Sequence, residues 1–88
     1  MRVQYLSKFS KDLDKIILPA VKKSILNVIE EVKAADSINQ IGNVKKLVGF
    51  KSAYRIRVGQ YRIGVFVEKN LVQFARIAHR KDIYKLFP

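Results

Sequence analysis

The spacing of hydrophobic residues in the first part of the chain predicts one strand followed by two helices. Polar and apolar residues alternate from Arg2 to Leu6, which is the pattern of a half-buried strand. Ser7 is predicted to cap the first helix, and Pro19, which cannot continue a helix but suits a first turn, begins the second. Each helix carries one apolar stripe, so the two form a hairpin whose apolar side packs on a sheet. The stripes consist of Phe9, Leu13, Ile16 and Ile17 in the first helix and Val21, Ile25, Val28, Ile29 and Val32 in the second.

The rest of the chain predicts a loop-rich connector and then a meander of strands. Over residues 35–49 the hydrophobic pattern weakens among polar and glycine residues, with one short strand within residues 44–48. Alternation returns in residues 54–63, YRIRVGQYRI, as two strands joined at Gly59-Gln60, and a third strand follows a turn at Lys69-Asn70. The predicted fold class is α+β, with an N-terminal strand and a helical hairpin packed on a mostly antiparallel, twisted β-sheet.

The hairpin of residues 54–63 places its arginines on one face of the predicted sheet. Glycine at the first central position suits a type II′ turn, so Arg57 lies opposite Arg62 and Arg55 opposite Gly64. Side chains alternate along a strand, which puts the three arginines on one face and the apolar residues on the other. We expect the helices to cover the apolar face and the arginine face to stay open. Like charges that face each other across a ladder repel, so a bound polyanion would relieve this repulsion.

The third strand extends the arginine face in the register that the Lys69-Asn70 turn sets. Ile77 then lies opposite Arg62, and His79 lies on the arginine face near the end of the hairpin. Arg80 and Tyr84 follow and close the rim of the same surface. The register therefore predicts one cationic site built from three strands and the segment after them.

Single residues of this set also have simpler explanations. Each lysine alone is explained as a solvated side chain, and His79 as a surface or hydrogen-bonding histidine. Tyr84 is alternatively a core anchor for the chain end. The register leaves Arg76 on the core face, where it emerges at an edge or pairs with a helix acid such as Asp14 or Glu30. The clustering of Arg55, Arg57 and Arg62 is different, because it follows from the register itself.

Composition adds a charge argument to this picture. The chain has 88 residues and a formal net charge of +11, which favours an anionic partner such as nucleic acid, a membrane surface or an acidic protein. Residues 1–36 hold seven basic and five acidic residues, whereas residues 37–88 hold eleven basic and two acidic ones. The half that contains the arginine hairpin therefore carries the anion-binding character.

Several kinds of chemistry are disfavoured by the residues present. The chain has no cysteine, which excludes disulfides and suits a reducing cytosol, and one histidine cannot make an ordinary zinc site. No carboxylate cluster suits magnesium, and no phosphate-binding glycine loop or serine nucleophile motif is present. Neither a signal peptide nor a membrane span is predicted, because the longest apolar run has six residues. The remaining chemistry is cationic stabilisation of a phosphate without a metal or other cofactor.

Three stretches of the chain together resemble the RelE/ParE toxin superfamily, specifically its RelE branch. They are KKLVGFK at residues 45–51, YRIRVGQYRI at residues 54–63 and ARIAHRKDIY at residues 75–84, and they follow a helical hairpin in this order. The resemblance covers nearly the whole chain and implies a single RelE-like toxin domain over residues 1–88 with the RelE-like microbial RNase fold.

The resemblance implies a toxin of a type II toxin-antitoxin module that cuts messenger RNA in the ribosomal A site without a metal. In that family the 2′-hydroxyl attacks the adjacent phosphate and leaves a 2′,3′-cyclic phosphate and a 5′-hydroxyl end. The family's catalytic positions fall on Arg57, Arg62, His79, Arg80 and Tyr84. Expected RNA-binding residues are Arg55, Lys45, Lys46, Lys51 and Lys81.

Roles within this set follow from side-chain chemistry. Arg57 and Arg62 are expected to hold the scissile phosphate, and Arg55 to orient RNA or share that task. Arginine is a poor general base, and this chain has arginines where some relatives have lysines. His79 is therefore expected to act as general acid or base. Tyr84 is expected to stack on a base or to orient the 2′-hydroxyl.

The resemblance also implies partners and an alternative function. The expected partners are a cognate acidic antitoxin, the ribosome and messenger RNA, with operator DNA bound only through the antitoxin complex, and the expected location is the cytoplasm. ParE-like members of the superfamily instead inhibit DNA gyrase without cutting RNA. A non-catalytic RNA-binding module is a third possibility for the same basic sheet.

Overall fold

A computed structural model describes residues 1–88 as an α+β fold with one five-stranded sheet. The strands are β1 (Arg2–Tyr5), β2 (Val44–Lys46), β3 (Ala53–Val58), β4 (Tyr61–Glu68) and β5 (Leu71–His79). The helices are α1 (Ser7–Lys15), α2 (Pro19–Ala34) and α3 (Ile83–Leu86), with a 3₁₀ turn at Ile38–Gln40. The sheet order is β1-β5-β4-β3-β2, and only the β1–β5 pair is parallel. The predicted fold class is confirmed.

The boundary between α1 and α2 follows the proline prediction. Pro19 lies in the first turn of α2, where its missing N–H costs no helical hydrogen bond. The residue before a proline disfavours helical geometry, so the chain is extended at Leu18 and α1 has already ended at Lys15. The Ser7 cap prediction is wrong by one position, because Ser7 is the first helical residue and Leu6 precedes it in extended conformation.

The main core lies between the helical hairpin and one face of the sheet. It contains thirteen buried residues, which come from α1, α2, the 3₁₀ turn and strands β3 to β5 together with Ile16 and Ile41. Phe9 of α1 packs against Phe74 of β5, with ring centroids 5.3 Å apart. Ile25, Ile56 and Ile63 are fully buried in the same cluster. Burial of each such side chain contributes about 1.5 to 3 kcal/mol, so this face holds the sheet and the helices in one fixed arrangement.

The arginine hairpin has the predicted register. Val58 pairs with Tyr61, Arg57 with Arg62 and Arg55 with Gly64. Gly59 has a φ of +60°, the left-handed conformation that a type II′ turn requires at its first central position. The arginines therefore share the sheet face opposite the main core, as predicted.

The pairing of β5 with β4 differs from the prediction by one residue. Phe74 pairs with Val65 and Arg76 with Gly64, so Ala75 is an extra residue that forms a β-bulge. Beyond the bulge, Ile77 pairs with Ile63 and not with Arg62 as predicted. A shift of one residue turns every following side chain to the other face. Ile77 is accordingly buried in the main core.

The partner of Arg76 is Asp12 of α1 rather than Asp14 or Glu30. The guanidinium of Arg76 donates from Nε to Asp12 Oδ2 at 2.8 Å and from a terminal nitrogen to Oδ1 at 3.2 Å. The same carboxylate accepts the backbone N–H of Ile77 at 2.9 Å. Strand β1 pairs with β5 only as far as Phe74, so the carboxylate takes the place of a neighbouring strand beyond that point.

A second, smaller core covers part of the arginine face, which is therefore less open than predicted. Its buried members are Ala53, Ala75, Ala78, Ile83 and Phe87. Ile83 and Phe87 come from α3 and the residue after it, and Phe87 packs against Phe66 with ring centroids 5.0 Å apart. The ring of Phe87 lies directly over Gly64, where a Cβ atom would overlap it. Glycine at position 64 therefore permits this docking of the chain end.

Replacing Gly64 with alanine is expected to reduce the free energy of unfolding by about 1 to 3 kcal/mol, because the new methyl group displaces the Phe87 ring. Urea unfolding followed by circular dichroism measures the change. Gly42→Ala is the matched control, since its Cβ atom meets nothing within 4 Å and its expected effect is within 0.5 kcal/mol. Equal transition midpoints for the two variants would contradict the role assigned to Gly64.

None of the helices combines the length and the hydrophobicity that a bilayer span requires.

Candidate functional site

A solvent-open cavity of about 390 Å³ lies on the arginine face, beside the second core. Strands β2, β3 and β4 form its floor, and α3 forms part of its rim. Four of the lining residues are basic and one is an asparagine, and no acidic residue lines the cavity. The lining residues are Asn43, Val44, Lys45, Arg55, Arg57, Arg62 and Tyr84.

The alternation of side chains along adjacent strands brings the basic residues of the cavity together. Arg55 and Arg57 are two residues apart on β3 and so share a face. Arg62 lies directly opposite Arg57 on β4, and Lys45 lies directly opposite Arg55 on β2. Four positive charges from three neighbouring strands therefore point into one concave surface.

The guanidinium of Arg62 is held by the turn of its own hairpin. Its Nη1 atom donates to the carbonyl oxygens of Gly59 and Tyr61, each at 3.0 Å. Burial, followed by the positive charges of Arg57, Arg80 and Arg55, lowers the pKa of Arg62 from its usual value. The site thus holds charges that repel each other in a fixed position, and an anion bound among them removes that repulsion.

Tyr84 extends from α3 over the cavity, while its neighbours hold the helix in place. Its side chain is 74% exposed, whereas Ile83 and Phe87 are buried, so Ile83 and Phe87 rather than Tyr84 anchor the chain end. The guanidinium carbon of Arg55 lies 4.4 Å from the centre of the Tyr84 ring, a cation–π contact. Hydrogen bonding by Arg55 and then its charge lower the pKa of Tyr84, with smaller contributions from Lys45 and Arg62.

The structure places His79 on the other face of the sheet. His79 pairs with Tyr61 and contacts its ring edge-on, with centroids 6.0 Å apart, beside Leu18 and Val21 of the helical hairpin. Its Nδ1 atom accepts the backbone N–H of Lys81 at 3.2 Å. The predicted position on the arginine face is wrong, because the bulge at Ala75 reverses the alternation of the last residues of β5.

Of the four other basic residues predicted for the site, one lies near the cavity and three lie away from it. Arg80 follows β5, and its N–H donates to the Gln60 carbonyl at 2.8 Å, which holds it at the end of the hairpin, where its charge acts on Arg62. The remaining three are exposed and do not line the cavity: Lys46 pairs with Tyr54 on β3, Lys51 lies in the β2–β3 loop and Lys81 lies in the turn before α3.

Sequence reasoning missed Asn43 and Val44 as cavity residues. Asn43 falls in the predicted loop-rich connector, where it adopts a φ of +60° and its carbonyl accepts the N–H of Arg57 at 3.0 Å. Asparagine is one of the few residues that tolerate this conformation. An Asn directly before a short strand was therefore the available signal. No group of three or more histidine, cysteine, aspartate or glutamate side chains comes together anywhere in the structure.

Comparison with known proteins shows which family this chain resembles. The sequence model described as "ParE toxin of type II toxin-antitoxin system, parDE" matches residues 3–84. Toxin RelE3 of Methanocaldococcus jannaschii is 42% identical over 89 residues, which covers all of both chains. The chain belongs to the RelE/ParE toxin superfamily. It is a toxin of the type II toxin-antitoxin class, and the identity to a RelE protein supports the RelE branch.

Solved structures of RelE/ParE superfamily toxins agree with this fold. The RelB-RelE antitoxin-toxin complex from Methanococcus jannaschii matches with a TM-score of 0.81 and 39% identity, covering 97% of this chain and 99% of the other. The isolated RelE toxin of E. coli matches with a TM-score of 0.67 over 97% of this chain and 92% of the other. Its identity is only 17%, so that second comparison shows a shared fold alone.

Proposed function

We propose that this RelE/ParE superfamily toxin is an endoribonuclease that cleaves messenger RNA in the ribosomal A site and thereby inhibits translation. The observation that supports it most directly is the cluster of Arg55, Arg57 and Arg62 around one open cavity, with Tyr84 at its rim and no acidic residue in its lining. A site of this kind suits a phosphodiester better than a neutral or cationic ligand. Its open side and exposed aromatic rim suit a single RNA strand.

The proposed reaction needs no atoms beyond those of the RNA and water. The ribose 2′-oxygen bonds to the adjacent phosphorus, and the bond from phosphorus to the 5′-oxygen breaks. The products are a 2′,3′-cyclic phosphate and a 5′-hydroxyl. Negative charge that develops on the non-bridging oxygens is stabilised by Arg57 and Arg62, which face each other across the hairpin. These guanidinium groups supply the positive charge of a reaction that we propose to be independent of metal ions.

Two further residues complete the proposed site. Arg80, held at the end of the hairpin, adds positive charge beside Arg62. Tyr84 presents an exposed ring on which a base can stack, and Arg55 beneath the ring holds it in position. His79 is left out of the catalytic set in this proposal, because its ring lies across the sheet from these arginines.

The partners proposed for this toxin follow from its charge and from its relatives. A net charge of +11 suits an acidic antitoxin, and the similar RelE of Methanococcus jannaschii is in complex with the antitoxin RelB. We propose that a cognate antitoxin covers this cavity and that operator DNA is contacted only through the resulting complex. The ribosome and its messenger RNA are the proposed targets, which places the activity in the cytoplasm.

The test is primer extension on messenger RNA from cells that briefly express this chain. Cuts at positions in phase with codons, confined to translated regions, are expected. The cleaved 3′ fragments should carry 5′-hydroxyl ends, which polynucleotide kinase labels without prior phosphatase treatment. Intact messenger RNA together with broken DNA would instead show inhibition of gyrase, the ParE-like function. Ribosome binding without either kind of damage would indicate a non-catalytic RNA-binding module.

A further inference from the structure

Placing His79 outside the cavity leaves the proposed reaction without the proton carrier that the sequence indicated. Departure of the 5′-oxygen produces an alkoxide, which requires a proton in the transition state at neutral pH. Guanidinium groups stay protonated under almost all conditions, so Arg55, Arg57 and Arg62 stabilise charge but exchange protons poorly. Among the side chains that line the cavity, only Lys45 and Tyr84 combine a polar hydrogen with ready proton exchange.

Lys45 reaches the catalytic cavity from a strand other than the arginine hairpin. It lies in the middle of β2, directly opposite Arg55, and so shares the sheet face of that arginine. Arg57 is the diagonal neighbour of Lys45, two residues from Arg55 along β3. Diagonal neighbours in a sheet lie about 7 to 8 Å apart at the backbone, a distance that a lysine side chain spans. Its ammonium therefore reaches a phosphate held by Arg57 and Arg62.

Lys45 is also free to act, because the structure gives its ammonium no competing partner. It is exposed, it forms no ion pair, and its ammonium donates no side-chain hydrogen bond within the chain. The Arg62 guanidinium, by contrast, already donates to two backbone carbonyls, and the Arg55 guanidinium lies against the Tyr84 ring. Of the four basic side chains of the cavity, those of Arg55 and Arg62 thus have partners within the chain, whereas those of Arg57 and Lys45 have none.

We propose that Lys45 is the general acid of the cleavage reaction, an inference that rests on the ribonuclease function proposed above. As the 2′-oxygen bonds to phosphorus and its proton passes to water, the bond from phosphorus to the 5′-oxygen breaks, and Lys45 donates a proton from its ammonium to that oxygen. The neutral amine then takes a proton from water. Tyr84 keeps the stacking role, because its ring is exposed at the rim of the cavity and the Arg55 guanidinium lies against it.

A substrate with sulfur in place of the bridging 5′-oxygen tests this role. A thiolate leaves without protonation, so loss of a general acid slows cleavage of the oxygen substrate and not of the sulfur substrate. The probe is a messenger RNA bound to programmed ribosomes, carrying either atom at the position that the wild-type protein cleaves. Single-turnover rates are measured for the wild type, Lys45→Ala, Lys45→Arg and Tyr84→Phe, each first checked for an unchanged thermal unfolding midpoint.

The expected result is a loss of about 100-fold for Lys45→Ala on the oxygen substrate and less than a tenfold loss on the sulfur substrate. Lys45→Arg should behave in the same way, because a guanidinium retains the charge without releasing a proton. Equal losses on both substrates, or full activity of Lys45→Arg, would show a purely electrostatic role and overturn the proposal. Sulfur rescue of Tyr84→Phe instead would transfer the role to Tyr84. A wild-type protein that cleaves neither substrate would refute the ribonuclease function itself.

Discussion

Replacing Arg62 with alanine is expected to slow the proposed messenger RNA cleavage by about 100- to 1000-fold, equivalent to about 2.7 to 4 kcal/mol of lost transition-state stabilisation. The reason is geometric as well as electrostatic. Two carbonyl oxygens of the hairpin hold its guanidinium in position within the cavity lining. Its remaining N–H groups therefore need no reorientation when a phosphate binds. The measurement is a time course of primer extension on programmed ribosomes with purified wild-type and variant protein.

Two control variants distinguish loss of catalysis from loss of charge or fold. Arg2→Ala removes an exposed arginine from β1, at the opposite edge of the sheet, and should leave the cleavage rate within twofold of wild type. Arg62→Lys keeps the positive charge but lacks the planar guanidinium, whose several N–H groups can bind the two carbonyl oxygens and a phosphate at once. Its cleavage rate should therefore lie between those of Arg62→Ala and the wild type. An Arg62→Ala variant that retains its unfolding midpoint and cleaves at the wild-type rate would exclude this cavity as the active site.

Replacing Asp12 with alanine is expected to destabilise the protein by about 3 to 5 kcal/mol, the largest stability loss predicted for a polar side chain of this chain. The change leaves the Arg76 charge without its partner, although the two side chains are only 18% and 11% exposed. It also removes the acceptor of the Ile77 N–H, at the point where β5 has no strand beside it. Urea unfolding monitored by circular dichroism measures the loss.

The neighbouring acid provides the matched control for Asp12. Asp14 lies two residues further along α1, is exposed and forms no ion pair, so Asp14→Ala should change the free energy of unfolding by less than 0.5 kcal/mol. Adding Arg76→Met to Asp12→Ala removes the unpaired charge and should recover part of the loss. If Asp12→Ala and Asp14→Ala had the same small effect, the Asp12–Arg76 pair would not contribute to stability.

The proposed chemistry depends on a surface that is unfavourable to the fold itself. Arg57 and Arg62 face each other directly across the hairpin, and like charges in this position destabilise a sheet. The main core on the other face offsets that cost, since the same two strands contribute Ile56 and Ile63 to it. The amphipathic alternation of one hairpin therefore supplies both the stability and the site.

Much of the site was determined by the sequence because it depends on local geometry. A period of two along each strand and a glycine suited to a type II′ turn are sufficient to bring Arg55, Arg57 and Arg62 onto one face. Pro19 likewise divides the helical hairpin through its own backbone restriction. These features need no information about distant parts of the chain, and the structure agrees with each of them.

Only the tertiary structure decided which residues outside the hairpin join that face. The bulge at Ala75 reverses the alternation of β5, so His79 lies across the sheet from the arginines. Pairing of Arg76 with Asp12 depends on where α1 crosses β5, and docking of Tyr84 over Arg55 depends on Phe87 packing on Gly64. Strand alternation is a property of each segment, whereas a bulge or a docked helix is selected by the packing of segments far apart in the chain.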